Sequence, residues 1–263
     1  MKSPVEMAAA RSDGRPISMV TCYDYWSARA VAASRVDAIL VGDSAAMVMH
    51  GHETTIPADV DMMCFHASAV RRGAPEKLVV VDMPFLAHRH SLDHTMTAVE
   101  RLVRSGAQAV KIEGADGTVD TVRHIVDSGV DVMGHLGLTP QSVHKLGGFK
   151  VQGRNEEAAL KVAEDARRLE DAGCFAVVLE MVPSELAGTI TRSLSIPTIG
   201  IGAGPMTTGQ VLVLQDMLGL QPDFRPKFLR TWLNGFDLFR DALFRYDGAV
   251  KDGGFPSEEE SSR

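Results

Sequence analysis

The chain has 263 residues, a formal net charge of -7, and 45% hydrophobic against 23% charged residues. Acidic and basic residues are mixed along it, so neither a nucleic-acid surface nor a basic face for a membrane is expected. No apolar run approaches the roughly 20 residues that span a bilayer, and residues 1–15 lack the apolar core of a secretory leader.

Residues 1–16 read as a short entry helix closed by the turn Ser12-Asp13-Gly14-Arg15-Pro16. A first strand is expected over 17–23 and a helix over 26–34, followed by the run Ala38-Ile39-Leu40-Val41, which ends in Gly42, Asp43 and Ser44. Four apolar residues in a row, cut off abruptly, are the mark of a strand buried on both faces, the habit of parallel sheets. Residues 45–58, with His50-Gly51-His52-Glu53, carry no period and read as a loop that could cover a site. Met62, Phe65 and Ala69 fall at helical spacing over 61–72. The buried-strand pattern then recurs as Leu78-Val79-Val80-Val81 before Asp82, and as Ala109-Val110-Lys111-Ile112 before Glu113. It returns as Val130 to Gly134 before His135, and as Phe175 to Leu179 before Glu180. Helices are expected over 91–104 with Ser91 as N-cap, over 118–128, over 156–172 and over 184–194. A second loop covers 137–155, a seventh strand falls within 196–202, and an eighth, the faintest, within 210–214. A helical pattern follows over 226–250, with Phe228, Trp232, Phe236 and Phe239 at heptad-like spacing for packing or a subunit contact.

Strand and helix alternate throughout, which calls for right-handed parallel crossovers. Seven or eight such units in this length favour a closed α/β barrel, for which roughly 250 residues is typical, over an open doubly wound sheet. The expected organisation is one catalytic domain over 1–252 and a mobile acidic tail over 253–263. Cys22, Cys64 and Cys174 are far apart in apolar sequence and read as buried free thiols, which together with the missing leader points to the cytoplasm.

In a barrel the acids that end the strands gather at one rim. Asp43, Asp82 and Glu113 would repel one another there without a positive charge between them. Carboxylates completed by water and a chelating substrate suit a hard divalent ion such as Mg²⁺; each acid could also cap a helix or pair with an arginine. Lys111 shares a strand face with Glu113, and is expected to hold a substrate carboxylate or enolate oxygen, or to form a Schiff base. Glu180 follows a wholly apolar run and is expected across the barrel from the other acids, its pKa raised by burial, as a general base. His135 is either a second polar contact or a satisfied core histidine, and His88, His90 and His94 read as solvated. Gly200-Ile201-Gly202-Ala203-Gly204 is not a dinucleotide fingerprint, because the third glycine would fall at Pro205.

Taken together these motifs resemble the ketopantoate hydroxymethyltransferase family over roughly residues 21–230. The resemblance rests on Tyr23-Asp24, Val41-Gly42-Asp43-Ser44, residues 69–74, Asp82-Met83-Pro84-Phe85, Val110-Lys111-Ile112-Glu113-Gly114, residues 134–141, residues 150–154 and residues 196–204. It implies a (β/α)₈ TIM barrel of the phosphoenolpyruvate/pyruvate type that forms homo-oligomers, often decamers. It also implies Mg²⁺, a 2-oxo acid, and 5,10-methylenetetrahydrofolate as one-carbon donor, with a hydroxymethyl group moved to C3 of 3-methyl-2-oxobutanoate to give 2-dehydropantoate. Carried over by motif, Asp43, Asp82 and Glu113 form the metal site, and Asp43, Ser44, Asp82 and Lys111 contact the 2-oxo acid. Glu180 is the proton acceptor. A Mg²⁺-dependent lyase or decarboxylase, or a paralogue for another 2-oxo acid, would keep the same barrel. The chain departs from the family pattern at Ala45-Ala46, Ala58-Asp59, Thr208 and Glu259-Glu260-Ser261, positions expected to bear on the folate contacts and on the 2-oxo acid accepted.

Overall fold

The computed structural model describes residues 1–262, which divide into two compact units, one ending at Leu212 and the other beginning at Val213. The first unit is a closed barrel of eight parallel strands in sequential order. They are β1 (Ile17–Thr21), β2 (Ala38–Val41), β3 (Leu78–Asp82), β4 (Ala109–Glu113), β5 (Asp131–Gly137), β6 (Ala176–Glu180), β7 (Thr198–Ile201) and β8 (Gly209–Leu212). Helices follow the strands as expected of a (β/α)₈ fold. α1 (Pro4–Ser12) precedes β1, and α2 (Tyr25–Ala32), α3 (Ala45–Val48), α4 (Val60–Gly73), α5 (Leu92–Arg104) and α6 (Val119–Asp127) come next. After β5 come a single 3₁₀ turn (Pro140–Ser142), α7 (Val143–Leu146) and α8 (Glu156–Asp171); α9 (Ser184–Ser193) follows β6.

Local chemistry sets these boundaries. Ser91 is extended and accepts from the His94 N–H at 3.2 Å, which starts α5. Thr95, Ala98, Val99 and Leu102 then form its buried stripe at helical spacing. Asn155 does the same for α8 by accepting from the Ala158 N–H. The barrel interior is filled by alternate strand residues, among them Met19, Leu40, Val80, Ala109, Met133, Val178 and Ile199. Met7 and Ala10 of α1 join that cluster, so the entry helix plugs the end where the strands begin.

Several expectations shift. The stretch 45–58 is not all loop, since α3 occupies its start, and α7 likewise lies inside the expected loop 137–155. His88 is not solvated but 2% exposed. Two residues earlier, Leu86 adopts a left-handed backbone (φ 60). Cys22 and Cys174 are buried free thiols, whereas Cys64 is only half-buried.

In the second unit, α10 (Leu214–Met217) is followed by a non-helical segment, and the long α11 spans Gly235–Lys251 rather than beginning near 226. Trp232 donates its backbone N–H to Met217 O and Gly235 donates to Leu218 O, so these groups are committed before a helix could use them. Phe228 and Trp232 therefore do not share a helix with Phe236 and Phe239. α11 leaves Leu238, Phe239, Leu243, Phe244 and Tyr246 exposed. Among the described residues no helix is long and apolar enough to cross a membrane.

Candidate active site

Strand parity carries the polar residues to the rim. Asp82 is two residues after the core residue Val80, Lys111 two after Ala109, His135 two after Met133, and Glu180 two after Val178. Side chains two apart in a strand share a face, so the interior that is apolar lower down becomes ionisable at the strand ends. Register then aligns neighbours: Asp82 pairs with Lys111 across β3 and β4, and Glu113 pairs with His135 across β4 and β5.

Asp43 follows β2 and enters the same cluster. Its backbone N–H donates to Asp82 Oδ2 at 3.0 Å. Gly42 makes this approach possible, because a Cβ there would lie 2.8 Å from Ser44 Oγ and 3.6 Å from Asp82 Oδ2. Lys111 Nζ stands 3.1 Å from Asp82 Oδ1, with both side chains almost fully buried. Gln141 completes the group. Its Nε2 donates to Asp43 Oδ2 at 2.8 Å and to Met83 O at 2.9 Å, and its backbone N–H donates to Glu113 Oε2 at 3.1 Å. Gln141 closes the 134–141 motif that carries the family resemblance, but the sequence alone assigns it no role.

Three buried carboxylates share one lysine, and the electrostatics show the excess. Burial, with Asp82 and Glu113 adding to it, pushes Asp43 well above the ordinary carboxylate range. Burial raises Asp82 against the pull of Lys111, and raises Glu113 to about 7. Burial alone would lower Lys111, but Asp82, Glu113 and Asp43 outweigh it and hold the ammonium charged. A lysine kept protonated in this way suits holding an anion more than acting as an amine nucleophile.

The donor set suits a hard cation. It offers carboxylate oxygens without sulfur; Asp82 Oδ1 has the Lys111 ammonium beside it, and Glu113 Oε1 is a buried oxygen that accepts no hydrogen bond. Among the described residues no three His, Cys, Asp or Glu side chains stand together as a complete cage for an ion. A cation here would draw on one or two carboxylates and take its remaining ligands from water and substrate, the usual habit of Mg²⁺.

His135 is a polar contact, not a core filler. Its Nδ1 lies 2.9 Å from Lys111 Nζ and its Nε2 lies 3.2 Å from Glu180 Oε2. Glu180 stands on β6, two strands from Glu113, and His135 on β5 bridges the gap rather than leaving the acids on opposite walls. Glu180 is also the least enclosed of the acids, its side chain 19% exposed, so the burial expected of it falls instead on Asp43, Asp82 and Glu113. On the other side of the site, Tyr23 Oη meets Ser44 Oγ at 2.7 Å.

The departures from the family pattern fall into place. Ala45 and Ala46 are fully buried in α3. Asp59 is the N-cap of α4, accepting from the Met62 N–H, a role that threonine also fills. Thr208 precedes β8 at the opposite end of the barrel, where its hydroxyl accepts from Arg11 Nη1 and the Thr198 N–H. It therefore belongs to the face associated with stability, not to the rim where substrates bind.

Comparison with known proteins finds relatives over nearly the whole chain. The chain is 59% identical over 247 residues to 3-methyl-2-oxobutanoate hydroxymethyltransferase of Coxiella burnetii, covering 94% of this chain and 93% of that one. It is 57% identical over 261 residues to the enzyme of the same name from Bdellovibrio bacteriovorus, with 99% of each covered. Among solved structures it is similar to phosphonopyruvate hydrolase in complex with oxalate and Mg²⁺, with a TM-score of 0.65 at 10% identity over 99% of this chain and 93% of that one. It is also similar to 2,3-dimethylmalate lyase of the PEP mutase/isocitrate lyase superfamily, with a TM-score of 0.61 at 18% identity over 97% of this chain and 99% of that one. The family model for ketopantoate hydroxymethyltransferase matches residues 3–258, and the chain belongs to that family.

Proposed function

We propose that this enzyme transfers a hydroxymethyl group from 5,10-methylenetetrahydrofolate to C3 of 3-methyl-2-oxobutanoate, giving 2-dehydropantoate, with the residues of the barrel rim in defined roles. The observation that carries the reading is a charge arrangement: one held-charged lysine among three buried acids on one side, and Glu180 standing apart beyond His135 on the other. Of Asp43, Asp82 and Glu113, one or two would ligate Mg²⁺ directly, with water and the 2-oxo acid supplying the remaining ligands. When bound, that ion polarises the keto group and acidifies the hydrogen at C3.

The chain's own side chains supply the rest. Glu180 takes the C3 proton, with His135 Nε2 beside it to steady the carboxylate. Lys111 and Ser44 face the 2-oxo acid, and Lys111 places a fixed positive charge where negative charge develops on the oxygen. Preplaced charge in a dry site is commonly the largest catalytic contribution. The carbanionic C3 then bonds to the methylene carbon of the donor as that carbon's bond to one folate nitrogen breaks. Water replaces the second nitrogen and supplies the hydroxyl oxygen, and the proton taken from C3 and one from water end on the two nitrogens of tetrahydrofolate.

The test is hydrogen exchange at C3 of 3-methyl-2-oxobutanoate in deuterated buffer, followed by NMR without folate. Glu180→Gln is expected to lower exchange by about 10² to 10⁴ while substrate and Mg²⁺ still bind. Exchange at the wild-type rate would remove Glu180 from this role.

The exposed apolar face of α11 supports a homo-oligomer, in line with the decamers expected of the family. Three free cysteines support the cytoplasm as its compartment.

A further inference from the structure

Ser44 sits in a closed ring of contacts that the chemistry above does not call upon. The ring runs along the chain from Ser44 through α3 to His50 and returns through three hydrogen bonds. His50 Nε2 meets His66 Nε2 at 2.9 Å, His66 Nδ1 meets Tyr23 O at 2.7 Å, and Tyr23 Oη meets Ser44 Oγ at 2.7 Å. Both histidines come from stretches whose sequence suggested only a loop and a helix face.

The proton inventory fixes the direction of the first two bonds. A backbone carbonyl can only accept, so His66 Nδ1 carries hydrogen and donates to Tyr23. His66 is buried on α4, and burial keeps the ring from taking a second proton readily. Its Nε2 therefore presents a lone pair, and His50 Nε2 must be the donor. Tyr23 is buried and gripped at both ends, by His66 at its carbonyl and by Ser44 at its hydroxyl. A shift of His66 would move the Tyr23 backbone and, through its rigid ring, the hydroxyl that fixes Ser44.

We propose that His50 and His66 are positioning residues for the 2-oxo acid: by holding the Tyr23 carbonyl they set the Tyr23 hydroxyl and so aim Ser44 Oγ at the substrate. The inference rests on the reading of Ser44 as a contact to the 2-oxo acid. It assigns a function to the His50–His66 pair that is separate from metal binding and from proton transfer.

The experiment compares His50→Leu, His50→Gln, Tyr23→Phe, Ser44→Ala and the double variant His50→Leu/Tyr23→Phe in the full chain. Binding and turnover of 3-methyl-2-oxobutanoate are measured alongside thermal midpoints. His50→Leu is expected to raise KM about fivefold to tenfold, the effect of one lost hydrogen bond, with kcat within about twofold of wild type. His50→Gln restores KM, because its amide can donate to His66 Nε2. The double variant binds no worse than Tyr23→Phe alone, because both changes open the same ring. If Ser44→Ala raises KM and His50→Leu does not, the ring is idle although the Ser44 reading stands. If Ser44→Ala leaves KM unchanged, that reading fails and takes the inference with it. A His50→Leu protein that loses thermal stability and kcat together, with no change in KM, shows a merely structural contact and also overturns the proposal. Should His50→Leu not fold, Tyr23→Phe and His50→Gln carry the comparison.

Discussion

Lys111 Nζ stands 2.9 Å from His135 Nδ1, and this contact decides which nitrogen of the imidazole bears hydrogen. An ammonium only donates, so Nδ1 must accept and the proton resides on Nε2, the atom 3.2 Å from Glu180 Oε2. Burial and the neighbouring Lys111 charge both push His135 below its ordinary pKa. The contact with Lys111 thus turns the other ring nitrogen toward Glu180.

His135→Leu keeps most of the volume and removes both contacts. A hydrogen bond to a charged group contributes about 1.5–3 kcal/mol, so C3–H exchange of the 2-oxo acid should fall by roughly 10- to 100-fold. Affinity for the 2-oxo acid should change far less, since Lys111 still pairs with Asp82. NMR exchange rates set beside calorimetric binding separate the two effects; equal losses in both would place His135 among the binding residues instead.

Gln141 ties Asp43 to Glu113 through its side chain and its backbone N–H. Gln141→Leu preserves the apolar stem but leaves Asp43 Oδ2 without its amide donor. Supporting residues of this kind are worth about 10–100-fold in metal affinity. Mg²⁺ titration of Gln141→Leu by calorimetry is expected to show a loss in that range, with the fold intact by circular dichroism. Unchanged Mg²⁺ affinity would mean that Asp43 is held in place without the amide.

The rim was legible in the sequence because parity is. Asp82, Lys111, Glu113, His135 and Glu180 each lie an even number of residues from a core apolar residue of the same strand, and all but Lys111 close a largely apolar run. What could not be read was the placement of groups joined only by the closing of the barrel. Gln141 comes from a 3₁₀ turn after β5 and reaches residues on β2 and β4 sides of the site. The burial of His88, in a turn that includes the left-handed residue Leu86, is announced by no apolar periodicity. The early start expected for α11 failed for a similar reason: periodic apolar residues from 226 to 234 suggested a helix, but the backbone N–H groups of Trp232 and Gly235 were already committed to α10.

Asp216, in the second unit, gives a stability prediction. Its carboxyl is buried on α10, and burial raises its pKa to about 6. A carboxyl whose folded pKa lies above its unfolded value binds its proton more tightly when folded. Its favourable contribution is therefore complete below the unfolded value near 3.8 and is lost as pH rises through about 6. The loss is of the order of 1–3 kcal/mol. Asp216→Asn removes the ionisation, so the variant should exceed wild type in urea resistance at pH 7–8 and match it near pH 4. Parallel pH profiles for the two proteins would show that Asp216 does not titrate in this range.

α11 carries the last prediction. Phe244 is 66% exposed and Phe239 57%, and both lie on a helix of 17 residues whose only buried residue is Gly235. So large an apolar surface marks an interaction site, and charged residues are depleted at the centre of such interfaces. The double substitution Phe239→Glu/Phe244→Glu places two carboxylates on the exposed apolar surface of this helix, where burial without a partner is costly. Sedimentation velocity is expected to show wild type as a homo-oligomer and the variant shifted to smaller species, with each chain still folded by circular dichroism. An identical sedimentation coefficient for both proteins would exclude this face of α11 from the subunit contact.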